Sequence, residues 1–124
     1  MKTRTALAFA NWLDKLSPER FDQSVWATRM PCGTVACVAG NFCIWRGLRE
    51  VCASCLEVSD VVWFAKSDGT FVNPSEFAQR GLGLSDDQRR QMFSIYALHR
   101  TPKQAAEAIR KMVARELKKK EVVG

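Results

Sequence analysis

Chemistry in this chain is concentrated where thiols, a hydroxyl and small residues fall together, at Cys32-Gly33-Thr34-Val35-Ala36-Cys37-Val38-Ala39-Gly40. Thr34 or Cys32 can cap a first helical turn, and Val35, Val38, Ala39, Phe42 and Trp45 recur at helical spacing. Gly47 supplies a stop, so the pattern predicts a helix over 34–46. On that helix Gly33, Ala36 and Gly40 would form a narrow stripe poor in side chains, open to a second backbone or a flat ligand. Two readings follow. One is tight helix packing. The other is a seat for an anion or nucleotide, because unpaired N–H groups and the positive end of the helix dipole gather at the N-terminus and Gly33 leaves the approach free. Arg29 and Arg46 flank the element with guanidinium groups suited to phosphate, and the Trp26 ring could stack on a base. The candidate ligand-binding residues are therefore Trp26, Arg29, Cys32, Gly33, Thr34 and Arg46.

Five cysteines and a single histidine invite two further chemistries. Cys52-x-x-Cys55 together with Cys32 and Cys37 would offer four thiolates to a zinc ion, as a structural zinc module does. Cys52 and Cys55 also fall on an apolar helical face predicted over 48–58, where thiols serve as small buried hydrophobes. A Cys32 thiolate at a helix start could act as a nucleophile, but it would need a base, and His99 sits in the short connection before Thr101-Pro102. The chain holds no paired-carboxylate constellation, no phosphate loop ending in Gly-Lys-Ser/Thr and no Gly-x-Gly-x-x-Gly after a strand. The expectation is a non-enzymatic protein with no catalytic residue, no metal and no cofactor.

The elements that must position these residues announce themselves mostly through helix starts. Asn73-Pro74-Ser75-Glu76, Ser85-Asp86-Asp87-Gln88 and Thr101-Pro102-Lys103-Gln104 each place Glu or Gln three residues after a capping side chain. Such boxes satisfy two backbone donors that the first turn would otherwise leave unpaired. They predict helices over 75–80, 86–97 and 102–118. Ala6, Phe9, Ala10, Leu13 and Leu16 form an apolar stripe that predicts a helix over 4–16, closed by Pro18. Ser17-Pro18-Glu19-Arg20 opens a further turn. Val61-Val62-Trp63-Phe64 and Thr70-Phe71-Val72 flank Ser67-Asp68-Gly69, the outline of one small β-hairpin. The stretch 21–31 shows no clear period, and Trp26 would anchor it to the core. The fold class is thus mainly α, a compact helical domain of about five helices with at most one hairpin, spanning 1–124 with residues 119–124 as a mobile tail.

With 124 residues, 47% hydrophobic and 26% charged, the chain is large enough to bury a core without disulfide staples. Four tryptophans and seven phenylalanines against one tyrosine point to a core of large apolar rings. No apolar run approaches the ~20 residues that span a bilayer, and the N-terminus lacks a signal-peptide pattern. Together with an odd number of thiols this reads as a cytoplasmic protein with reduced cysteines and no membrane partner. The formal charge is +6, with Arg110, Lys111, Arg115, Lys118, Lys119 and Lys120 crowded toward the C-terminus. There they match the negative end of a helix dipole or form a footprint for a polyanion. The helices over 86–98 and 102–117, with Arg89, Arg90, Arg100 and Lys103 nearby, have the outline of a DNA-binding pair. Ala105, Ala106 and Ala108 offer little to base edges, which favours an ordinary helical hairpin.

The order of blocks carries a resemblance over about three quarters of the chain. Phe21-Asp22, Trp26, the Cys32–Gly40 element, Leu82-Gly83-Leu84-Ser85 with Gln88 and Phe93, and Thr101-Pro102-Lys103-Gln104-Ala105-Ala106 resemble a group of small phage and prophage proteins. Asn41-Phe42-Cys43 depart from the aromatic and small residues typical of that group after the glycine. The resemblance implies a setting, a virus-encoded protein acting inside a bacterium, and no particular mechanism. In that setting the expected role is capture, counter-defence included, of an anionic nucleotide-like molecule or of a host protein gripped through an exposed apolar patch. A DNA-binding regulator is the alternative, and self-association is left open.

Overall fold

Three of the helices begin where their capping signals put them, and two of the three boxes close in both directions, in the computed structural model, which describes residues 1–22, 27–30, 33–52, 62–93 and 100–123. Helix α3 spans Pro74–Leu82, with Asn73 Oδ1 accepting the Glu76 N–H at 3.2 Å. Helix α4 spans Asp86–Phe93. Ser85 Oγ accepts from the Gln88 N–H at 3.2 Å, and Gln88 Oε1 accepts from the Ser85 N–H at 2.9 Å. Helix α5 spans Pro102–Val123, so it absorbs most of the residues expected to form a tail. Its box is made by Thr101 Oγ1, which accepts from the Gln104 N–H at 3.1 Å, and by Gln104 Oε1, which accepts from the N–H groups of Thr101 and Arg100. Helix α1 spans Thr3–Asp14 and buries Ala6, Phe9, Ala10 and Leu13, as its stripe requires. Pro18–Arg20 form a single 3-10 turn in which the Ser17 hydroxyl donates to the Glu19 carboxylate and caps nothing.

The helix predicted over 34–46 is instead a strand followed by a shorter helix. Strand β1, Ala27–Met30, pairs antiparallel with β2, Gly33–Ala36, and helix α2 runs only from Val38 to Trp45. Thr34-Val35 is a β-branched pair that suits a strand, and a ladder became available from a segment whose own sequence shows no period. Ala36 also bridges Phe21 in parallel and accepts the Asp22 N–H at 3.0 Å. Local spacing could not reveal either partner. The expected stop holds: Gly47 follows the end of α2 with φ +75, where a side chain would be strained.

A second correction falls on the helix predicted over 48–58, whose start is strand β3, Arg49–Cys52. It pairs antiparallel with β4, Val62–Ala65, in the register Arg49↔Ala65 to Cys52↔Val62. The 3.6-residue spacing of Leu48, Val51 and Cys52 competes with a period-2 alternation, and cross-strand pairing decided the contest. Residues 53–61, with Cys55, lie outside the described residues. The anticipated hairpin is present as β4 with β5, Phe71–Val72, joined through Gly69 at φ +88 with the Thr70 N–H donating to Asp68 Oδ1 at 2.9 Å. The protein therefore has a two-stranded and a three-stranded sheet where one hairpin was expected. It remains mainly α.

Phe9, Leu13, Val38, Phe42, Leu82, Met92 and Ile109 form the centre of the core, contributed by α1 to α5. Phe9 meets Phe42 edge to face at 5.2 Å between centroids, and Trp45 and Phe77 complete the ring cluster around Phe42. Helix α3 approaches this cluster at Gly81, where an added Cβ would sit 2.4 Å from Phe42 Cζ. Sequence spacing did not single out this close approach at Gly81. A small second cluster, Ala36, Cys43 and Phe64, fastens the three-stranded sheet to α2. Helix α1 lies along α5, where Arg110 donates to Asp14 and to Asn11. Among the described residues no helix is long and apolar enough to cross a membrane.

Candidate functional site

The true start of α2 lies at Cys37, and it is closed. Cys37 takes an extended conformation, and its Sγ accepts the Gly40 N–H at 3.5 Å. Cys37, Val38, Ala39 and Gly40 are all buried. Asn41, buried to 1% exposure, turns its amide back on the turn and donates to the Ala36 carbonyl at 2.8 Å and the Cys37 carbonyl at 3.0 Å. An anion arriving at this N-terminus would have to displace protein, so the free donors that argued for a phosphate seat are not presented to solvent. Gly33 and Thr34 stand one strand earlier, paired in register with Met30 and Arg29. Arg46 stands at the other end of the helix as its C-cap, a rise of about 12 Å away for eight residues. Its guanidinium lies over the Trp45 ring at 4.6 Å and near the Phe42 ring at 5.7 Å. Of the six candidate residues, Arg29, Gly33 and Thr34 share one hairpin and Arg46 stands apart. Trp26 and Cys32 lie outside the described residues, as does His99.

Burial governs the described thiols. It pushes the Cys37 thiol up from its ordinary value despite the Gly40 N–H, and pushes Cys43 up to about 12, with the neighbouring Cys37 adding to the effect. Both are buried, which suits packing and opposes thiolate chemistry. Cys52 ends a β-strand, so the helical face that spoke against a Cys52–Cys55 metal pair is not formed there. Among the described residues no group of three or more His, Cys, Asp or Glu side chains could hold a metal ion.

Sequence spacing missed the surface that the sheet creates. Phe64 faces the core, so Trp63 and Ala65 point the other way, and the register Ala65↔Phe71 puts Phe71 on that same outer face. Trp63 is 57% exposed and Phe71 62%. They are diagonal neighbours across adjacent strands, about 7–8 Å apart in backbone terms. Exposed Arg49 occupies the third strand of the same row, across Ala65 from Phe71. The run Val62-Trp63-Phe64-Ala65 is apolar throughout, so it signals a strand without saying which parity faces water.

The C-terminal pair of helices is tied together by the Gln88 amide donating to Glu116 at 2.8 Å. Pro102, Ala105 and Ala106 are buried, so the opening turn of α5 faces the core. The connection 94–99 lies outside the described residues. No protein-family model, curated protein or solved structure matches the chain.

Proposed function

We propose that the chain is a non-enzymatic, phage-type binding protein of the bacterial cytoplasm, counter-defence being the role that suits it. In this reading it captures a host protein through the Trp63–Phe71 face. The observation that carries this is the exposure of two large aromatic side chains, diagonal neighbours on one face of a sheet whose Phe64 is buried on the other. Isolated exposed apolar residues are ordinary, but an adjacent Trp and Phe flanked by Arg49 have the composition of the buried centre of a protein interface. The phage setting is supported by the block order from Phe21 to Ala106. The closed start of α2 weighs against the competing capture of an anionic nucleotide-like molecule at Cys32–Thr34.

The test uses tagged protein and a Trp63→Ser, Phe71→Ser double variant, both incubated with bacterial extract, with each retained protein then purified and rebound. The expected result is a partner that rebinds the parent protein and binds the double variant at least about tenfold more weakly, with melting temperature unchanged. Equal binding to both forms overturns the surface. A nucleotide-like mass held by the parent protein in native mass spectrometry, lost on Gly33→Val, with no retained protein, overturns the reading in favour of the anionic ligand.

A further inference from the structure

Helix α5 carries charge that no ion pair among the described residues uses. Its buried side holds Ala105, Ala106, Ile109, Met112 and Val113. Its opposite side holds exposed Lys111, Arg115, Lys118 and Lys119, set at helical spacings of three and four. The ion pairs found among the described residues, Arg90 with Asp87 and Arg110 with Asp14, involve none of the four. Lys103, nearer the start of the helix, lies in the field of Asp14. Among the described side chains Glu107 is the acid on the exposed side, while Glu116 is half-buried and occupied by Gln88. The charge is therefore concentrated on one helix from Lys111 onward.

We infer that this face of α5 binds the phosphate backbone of duplex nucleic acid, without reading sequence. This surface and partner are independent of the aromatic sheet face. From Lys111 to Lys119 the helix rises about 12 Å, and a duplex presents a phosphate charge every ~1.7 Å along its axis. Few other partners match four clustered cations with so dense a line of charge. The face carries no aromatic ring on which unpaired bases could stack, which separates it from single-strand platforms. The apolar stripe of α5 is occupied by the core, and exposed Leu117 with Ala114 beside the cations is too little apolar surface to lay into a lipid interface. Contacts to base edges are disfavoured because the opening turn is buried at Pro102, Ala105 and Ala106.

The experiment measures binding of the full chain to two duplexes of about 20 base pairs with unrelated sequences, across a salt series, beside a Lys111→Gln, Arg115→Gln, Lys118→Gln variant. Four phosphate contacts give a slope of log K against log salt of about −3.6, so affinity should fall roughly a hundredfold between 50 and 200 mM salt. The triple variant should lose about three units of slope and keep its melting temperature, since all three side chains are exposed. The two duplexes should bind within a few-fold of each other. No binding at 50 mM salt, an unchanged slope in the triple variant, strong preference for one sequence, or binding to anionic vesicles with none to duplex would each overturn the inference. None of these outcomes bears on Trp63 and Phe71, so this proposal and the capture of a host protein stand or fall separately.

Discussion

The starts of α2 and α5 solve the same problem in opposite surroundings. Each first turn leaves backbone N–H groups without helical partners. At α5 the answer is local and exposed: Thr101 and Gln104 exchange side-chain and backbone hydrogen bonds within four residues. At α2 a buried thiol accepts from Gly40, and Asn41 ties the preceding carbonyls, one of which also receives the Asp22 N–H from a distant segment. The contrast teaches that a self-contained cap can be read from four letters, whereas a cap assembled in the core depends on what the remainder of the chain brings to it. It also bears on the candidate site, because a helix start enclosed by protein is not presented to a ligand in solvent.

At neutral pH the largest effect that would test the contrast is expected at Asn41. Asn41→Ala removes two buried hydrogen bonds and should lower stability by about 2 kcal/mol in urea unfolding. A loss under about 0.5 kcal/mol, the range of an uncritical surface change, would mean that the α2 start holds without its amide. Alkaline pH comes next. The Cys43 thiol ionises at 9.0 ordinarily and at about 12 in the folded chain, so the folded state favours the protonated form. Its contribution is whole below pH 9.0 and lost as pH climbs toward about 12, at about 1.4 kcal/mol per pH unit. Unfolding free energies measured on both sides of pH 9.0 should fall more steeply for the parent protein than for Cys43→Ala; parallel curves would show that the thiol is not desolvated. The smallest effect belongs to the exposed cap, where Thr101→Ala should cost about 1 kcal/mol and leave the alkaline slope unaltered. If Thr101→Ala proved more damaging than Asn41→Ala, the ranking of buried over exposed caps would be reversed.

Legibility in the sequence tracked this same division. The three capping boxes and the stripe of α1 were readable because each depends on residues within one or two turns of one another. The Ser67-Asp68-Gly69 turn was readable for the same reason, its positive-φ glycine being a local demand. The strand pairings of 27–36 and 49–52 were not, because an apolar run such as Val35 to Val38 is compatible with helix and strand until a partner is supplied. The candidate site inherited that error: Cys32, Gly33 and Thr34 were assembled on a helix start that belongs to Cys37. Gly81 was overlooked because nothing in its neighbourhood announces that Phe42 will press against it.

By itself, then, the sequence determined that the protein is mainly helical, where α1, α3, α4 and α5 begin, and that positive charge would collect near the C-terminus. These follow from hydrogen bonds and spacings closed within a few residues. Tertiary structure alone decided that Gly33–Ala36 and Arg49–Cys52 are strands, that the start of α2 is sealed, and that Trp63 and Phe71 lie exposed on the same side of a sheet. The physical reason is that a β-ladder and a buried cap gain their free energy from partners far along the chain. Which side of a strand meets water is likewise fixed only when the opposite side finds a core, here Cys43 and Ala36 beneath Phe64.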